Sequence, residues 1–386
     1  MEEDVITKTR VMLAVGARPQ FVKSAPVIRE ICSKHKKTIE LATVHSGQHY
    51  DPEMSQIFFR ELRIPTPLAN LRAGSGSHAV QTATMMKRLE ALMLAVEPDV
   101  VLVPGDTNTT LASALTAAKL GIPVAHLEAG LRSGDMGMPE EINRKLTDHC
   151  STLLFAPTRT AIHNLRREGL GKLAHLTGDT MVDALHDATT SIQDRQSAIL
   201  HRHNLRFREF VLVTLHRPSN VDDPSRLRRI HRSLCEIGRE TRVVFPVHPR
   251  TRINLDAIGA FRSPRNSGIM FIQPQGYLET LVLLKNASCL LTDSGGMQKE
   301  SFMLHVPCVT LRRTTEWPET LTCNANRLVY DPKAIPAAIL RGALNDKLRE
   351  SISCLKNPFG DGHASARVAH ILETFEHDSR TRRIAE

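Results

Sequence analysis

Aromatic side chains are scarce in this 386-residue chain: Phe, Tyr and Trp make up 4% of it, with a single Trp. Proteins that hold single-stranded nucleic acid lean on stacked aromatic platforms. The scarcity therefore argues against a series of base-stacking sites, although the formal net charge is +9 and the pI about 9.3. Long apolar runs are missing too, since no stretch approaches the roughly 18 uninterrupted apolar residues of a membrane span. The opening MEEDVITKTR lacks the basic-then-apolar order of a secretory leader. The seven cysteines, Cys32, Cys150, Cys235, Cys289, Cys308, Cys323 and Cys354, have no CxxC spacing. Most lie in apolar or helix-like surroundings, which reads as buried or inert thiols in a reducing cytoplasm. No HExxH or other zinc spacing occurs, so no metal is expected. The stretch GARPQFVKS has neither the second Gly and GK[ST] ending of a P-loop nor a GxGxxG, and implies no ATP or NAD cofactor.

What is present is ordinary in bulk and regular in order. An apolar share of 41% and a charged share of 24% suit a globular protein, and the length points to two or three domains. Arginines crowd RLRRIHRSLCEIGRETR, but Leu227, Ile230, Leu234 and Ile237 recur there at three- and four-residue spacings. That is the pattern of an amphipathic helix with a solvated basic face. Short apolar runs alternate with helical patterns throughout. VMLAVG leads into PQFVKSAPVIREIC, DVVLVPG into TNTTLASALTAAKL, and PVAHLEAG is followed by EEINRKLTDH and TLLFAP. A second series, FVLVTLHR, TRVVFPVH, GIMFIQP, CLLTDS and PCVTLRR, begins near residue 210. Strands apolar on both faces and separated by helices imply parallel sheets covered on both sides. The expectation is an α/β protein of two Rossmann-like, doubly wound domains with a cleft between them. They are read over 1–185 and 205–363, joined through the polar helical stretch DATTSIQDRQSAILHRHNLR.

In such sheets ligands bind beyond the carboxyl ends of the strands, and the chemically capable residues gather there. TDSGGMQKES follows an apolar run and opens a helix, so Ser294, Gly295 and Gly296 suit either a phosphate or a plain tight cap. Glu300, one turn on, is placed for a ribose diol or for solvent. Arg18 follows the first strand, where a guanidinium can hold a diphosphate bidentately. Lys23 is either part of that site or surface. His216, Arg217 and His248 follow two strands of the second series and read as phosphate partners, proton donors or helix caps. Asp106 follows VLVPG, where helix capping competes with catalysis. Glu128 ends the nearly apolar VAHLEAG, where a carboxylate is costly unless paired or functional. Glu140 and Glu141 follow Pro139 and also suit a helix N-terminus.

Taken together, the chain resembles the UDP-N-acetylglucosamine 2-epimerase family. The resemblance runs through GARPQFVKSAP, SGQHYDPEM, GDTNTTL, HLEAGLRS, MPEEINR, LHRPSN, PVHPRT, TDSGGMQKES, RTTEWPET and NPFGDGHAS, in that order. It implies a glycosyltransferase-B-like fold with the final helix, 364–378, returning to the first domain, a homodimer, no metal and a UDP-sugar substrate. The catalytic positions it implies are Asp106, Glu128, Glu140 and His216. Those implied for UDP and sugar are Arg18, Lys23, Arg217, His248, Gln275, Ser294, Gly295, Gly296, Glu300 and Arg312, with Gln48 and His49 at a regulatory site. Two departures stand out. Many members have QHR where this chain has Gln48-His49-Tyr50, and TTERPE where it has Thr315-Glu316-Trp317-Pro318. The latter is similar to relatives acting on UDP-2,3-diacetamido-glucuronate. Competing readings are that epimerase, a hydrolysing relative releasing N-acetylmannosamine, a glycosyltransferase, or a nucleotide-sugar or nucleic-acid binding protein.

Overall fold

The computed structural model describes residues 8–47, 61–62, 64–262, 267–340 and 344–375. The described residues up to Asp187, with those from Pro358 onward, form one unit, and Ala188–Asn357 form the other.

The first unit is built on β1 (Thr9–Val15), β2 (Ile39–His45), β3 (Ala69–Asn70), β4 (Val100–Pro104), β5 (Val124–Leu127), β6 (Leu153–Ala156) and β7 (Ala174–Leu176). Their order across the sheet is β3-β2-β1-β4-β5-β6-β7, with every pairing parallel. Helices α1 (Arg18–Glu30), α2 (His78–Val96), α3 (Asn108–Lys119), α4 (Pro139–Cys150) and α5 (Arg159–Arg167) lie between strands in the chain. The whole of VVLVP is buried, as the central strand of a parallel sheet covered on both faces must be. Ala112, Ala114 and Ala117 of α3 share one apolar cluster with Val101, Val103 and Met85. Their small side chains let that helix lie close to its neighbours. The helix Ala364–Glu373 belongs to this unit, with Asp183 accepting from the backbone N–H of Ala364 (3.2 Å) and Ser365 (2.8 Å). Helix α6 (Thr180–Arg202) carries the chain into the second unit.

The second unit repeats the plan with β8 (Phe210–Thr214), β9 (Arg242–Pro246), β10 (Ile269–Ile272), β11 (Cys289–Thr292), β12 (Cys308–Thr310) and β13 (Asn326–Leu328). The order is β10-β9-β8-β11-β12-β13, again parallel throughout. Its helices include α7 (Pro218–Val221), α8 (Pro224–Gly238), α9 (Pro249–Ala257), α10 (Tyr277–Asn286) and α11 (Gly295–Met303). Helix α8 buries Leu227, Ile230, Leu234 and Ile237 as its spacing predicts. One arginine departs from the solvated face: Arg226 is buried, donating to Asn220 Oδ1 (3.0 Å) and to the carbonyl of Tyr330 (2.9 Å).

Both sheets are the doubly wound architecture expected from the strand–helix rhythm. Each reverses direction once, between β1 and β4 and between β8 and β11, and ligands bind at such switch points beyond the strands' carboxyl ends.

Candidate functional site

In the first unit the switch point is locked by Gln20 of α1. Its Oε1 accepts from the N–H of Gly16 (2.8 Å) and Ala17 (3.0 Å), and its Nε2 donates to the carbonyl of Pro104 (3.0 Å). One buried amide therefore ties the end of β1 to the end of β4. Thr107, not Asp106, caps α3, its side chain accepting from Thr110 N–H. That leaves the Asp106 carboxylate to another partner, Arg144 of α4. Asn143 of the same helix holds the Asp106 carbonyl at 3.0 Å.

Glu128 follows β5 directly, is 6% exposed, and pairs with Lys23 of α1. Its φ of +66° lies in the left-handed region, which costs a non-glycine residue about 1–3 kcal/mol. Gly105, at φ +70°, completes the arrangement, since a Cβ there would stand 3.3 Å from Lys23 Nζ. Adjacent strands thus end in two carboxylates, each with its own cation.

Behind them runs a buried network. His126 of β5 bonds Asp148 Oδ1 through Nδ1 and the Gly105 carbonyl through Nε2, both at 2.7 Å. Asp148 also accepts from Gly130 N–H (3.0 Å) and Arg132 Nη1 (2.7 Å), and Arg132 clamps Glu168 at 2.8 and 2.6 Å. Burial opposes ionisation of Asp148, but the His126 hydrogen bond and the charges of His126 and Arg132 outweigh it and hold its carboxyl below the usual range. Glu168 is likewise held low, chiefly by its Arg132 hydrogen bond. Glu140 is half-buried in the first turn of α4, while Glu141 is fully buried. The two acids after Pro139 therefore have different surroundings.

In the second unit the switch point is organised by Asp293, at the end of β11 and fully buried. It accepts from His216 N–H (3.2 Å), Arg217 N–H (3.0 Å) and Asn220 Nδ2 (3.0 Å). His216 Nδ1 stands 3.3 Å from Asp293 Oδ1, while the His216 side chain remains 48% exposed. Ser294 leads into α11, whose first residues Gly295 and Gly296 put free backbone N–H groups at a helix N-terminus, where an anion is favoured. Gly295 is required by a close approach, since a Cβ there would meet Glu316 Oε1 at 2.2 Å. Glu316 is paired with Arg312 at 2.7 Å, and Glu300 is buried in α11. His248 caps α9 through its Nδ1 (3.3 Å to Arg250 N–H), its ring 6.4 Å from that of His216. Gln275 Nε2 bonds the carbonyl of Gln273 (2.7 Å). Trp317 is buried with the Lys299 ammonium 3.9 Å above its ring.

The family model for UDP-N-acetylglucosamine 2-epimerase matches residues 32–373. The chain belongs to the UDP-N-acetylglucosamine 2-epimerase family. A Methanococcus maripaludis relative described as a UDP-N-acetylglucosamine 2-epimerase homolog is 45% identical, covering 94% of this chain and 99% of its own. The Pseudomonas aeruginosa UDP-2,3-diacetamido-2,3-dideoxy-D-glucuronate 2-epimerase is 42% identical over 94% of this chain and 99% of its own. Among solved structures, the Methanocaldococcus jannaschii UDP-GlcNAc 2-epimerase in complex with UDP-GlcNAc and UDP superposes with a TM-score of 0.86. It is 43% identical, with 94% of this chain and 99% of that one covered. The fold of this epimerase-family chain is the glycosyltransferase-B-like one of those neighbours.

Within the family member, the structure brings Asp106, Glu128, Lys23 and the start of α4 together in one unit, and His216, Arg217, Ser294, Gly295 and Gly296 around one switch point in the other. Gln48 and His49 lie outside the described residues, as does the side chain of Arg18. Sequence reasoning missed Arg144, His126, Asp148 and Asp293, and it read Glu141 only as a helix N-terminal acid, where the structure buries it against Arg144. Asp293 carried the same signal as Glu128, an acid at the end of an apolar strand. The cysteine expectation needs correcting: only Cys289 and Cys308 are buried, while Cys32, Cys323 and Cys354 are exposed. Helix-like surroundings did not distinguish the outward side of a helix from its inward side. Among the described residues no group of three or more His, Cys, Asp or Glu side chains is arranged to hold a metal ion, and no helix is long and apolar enough to cross a membrane.

Proposed function

We propose that this protein interconverts the C2 epimers of a UDP-sugar, UDP-N-acetylglucosamine and UDP-N-acetylmannosamine, without hydrolysing them. The observation that carries the reading is the pair of carboxylates at the ends of β4 and β5, Asp106 and Glu128, each held by its own cation. The C2–H of an amino sugar has no neighbouring carbonyl to acidify it. As the C1–O bond breaks, its electron pair leaves on the β-phosphate oxygen of UDP, C1 becomes cation-like and the C2 proton passes to a carboxylate. The products are UDP and 2-acetamidoglucal. Re-addition of UDP at C1, with a proton delivered to C2 from the opposite face, completes the inversion. Two faces need two proton carriers, which are Asp106 and Glu128 in this reading, with Glu140 stabilising positive charge at C1.

Arg18, Arg217, His216, His248, Gln275, Arg312 and the Ser294–Gly296 turn are assigned to the diphosphate and uridine, and Glu300 to the ribose. Gln48 and His49 are assigned to regulation. No metal or organic cofactor is needed. We assign the protein to the cytoplasm as a homodimer feeding surface-polysaccharide precursors.

A second reading, epimerisation of UDP-2,3-diacetamido-glucuronate, is favoured by the 42% identical Pseudomonas aeruginosa relative and by Trp317 stacked on Lys299 in the departing TTEWPE segment. Proton NMR with UDP-N-acetylglucosamine in deuterium oxide tests the first reading. Deuterium at C2 with growing UDP-N-acetylmannosamine supports it, and accumulating free N-acetylmannosamine with UDP points to a hydrolase. A spectrum unchanged with this sugar but active with the diacetamido-uronate favours the second.

A further inference from the structure

The two paired carboxylates are not held in the same way. Glu128, in the turn after β5, is paired with Lys23 of α1. Asp106 is held by an arginine that is itself anchored from behind. Arg144 is 1% exposed. Its Nη1 donates to Glu141 Oε2 at 2.7 Å and its Nη2 to Asp106. Glu141, fully buried one turn earlier, accepts from Ser133 N–H (2.9 Å), Ser133 Oγ (2.9 Å) and Gly134 N–H (3.1 Å). Oε2 thus accepts from three protein groups and Oε1 from one, and the side chain is fully buried, so Glu141 is an anchor. The Asn143 amide grips the Asp106 backbone at the same time.

We propose that Arg144, backed by Glu141, is a positioning residue that aims the Asp106 carboxylate at the sugar's C2, and that it makes Asp106 and Glu128 unequal partners. The inference rests on the epimerase reading above. A guanidinium is planar, keeps its charge and binds two acceptors in a fixed fork, whereas an ammonium is a point donor that can surrender a proton. The fork fixes where Asp106 points. Lys23 gives Glu128 one point donor and no such fork. Arg144 is buried behind Asp106 and acts through it.

The test uses full-length protein and the C2 exchange assay in deuterium oxide, with calorimetric UDP binding and melting measured alongside. Arg144→Lys keeps the charge but not the fork. We expect it to fold, to bind UDP within about twofold of wild type, and to lose about 100-fold in kcat with KM little changed, the scale of a small misplacement. A second variant, Arg144→Ala with Glu141→Gln, removes both buried charges together and leaves space for a guanidinium ion beside Asp106. Its exchange is expected to be slow and to recover at least tenfold in low-millimolar guanidinium, but not in equal urea or potassium chloride. Exchange by Arg144→Lys at the wild-type rate, or a double variant that guanidinium does not rescue, overturns the positioning role while the epimerase reading stands. Wild-type protein that exchanges C2 hydrogen in neither UDP-sugar overturns the epimerase reading itself.

Discussion

Replacing Asp148 with Asn removes one charge from a fully buried site and changes almost no volume. The carboxylate accepts from His126 Nδ1, Gly130 N–H and Arg132 Nη1 at 2.7–3.0 Å, and all of these are donors. An asparagine offers one acceptor oxygen and turns an NH2 towards at least one of them, so a donor faces a donor and Arg132 loses half its countercharge. Breaking a buried ion pair from one side costs about 3–5 kcal/mol. For a unit of this size each kcal/mol is worth about 2–4 °C, so melting should fall by about 6–20 °C. Because the folded carboxyl of Asp148 lies below its ordinary value, the stability it confers is present above the unfolded value near 3.9 and is lost as pH falls through the folded one. The wild-type-minus-variant gap should therefore hold from about pH 8 to 5 and close only in stronger acid. Circular dichroism melts of both proteins across that range are the assay. A gap under about 2 °C, or one that closes by pH 5, would refute the network as drawn. The same substitution should also slow catalysis, since His126 holds the Gly105 carbonyl beside Asp106.

Glu128→Gln should abolish turnover while UDP binding, read by calorimetry, stays nearly intact; near-normal turnover would remove Glu128 from the mechanism. Asp293→Asn should cost about 1–3 kcal/mol in denaturant unfolding by setting an amide N–H against the donors of the His216–Arg217 turn. It should also weaken UDP binding at least about tenfold, and unchanged UDP affinity would separate that turn from the diphosphate. Burial pushes the Cys308 thiol up to about 11 and the Cys289 thiol well above its usual value. Thiol reagents at about pH 8 should thus label Cys32, Cys323 and Cys354 in folded protein, and reach Cys289 and Cys308 only on unfolding. Mass mapping of labelled peptides reads this directly, and rapid native labelling of Cys308 contradicts its burial.

The sheets were legible because their strands bury both faces, which writes an unbroken apolar run into the chain: VVLVP, FVLVT and CLLT are all strands. Strand-end residues were legible for a related reason. A carboxylate such as Glu128 directly after an apolar strand has to be paired, and here it is. Partners were another matter. Asp106 and Arg144 are 38 residues apart and His216 and Asp293 are 77, and no local pattern connects them. The weaker strands also escaped notice: β2 mixes Glu40 and Thr43 into its run, and β7 and β13 have three residues each.

Helix α4 shows why the missing half of the site resisted reading. Hydrophobic periodicity would turn Ile142 and Leu146 inward, one turn apart on a common face. The structure does the opposite: Ile142 is 41% exposed and Leu146 is 48% exposed, while Glu141, Arg144 and Asp148 are buried. Those three sit at i, i+3 and i+7, the spacing of a core stripe, but the stripe is charged. It is tolerated because every member is met: Glu141 by Arg144 and the Ser133–Gly134 backbone, Arg144 also by Asp106, and Asp148 by His126 and Arg132. A buried charged stripe of this kind contributes little net stability over an apolar one, so packing alone does not account for it. What it does supply is position, holding the Asp106 carboxylate from the front and Gly105 from behind. That is the reason to look for function on the helix whose pattern disagrees with its burial.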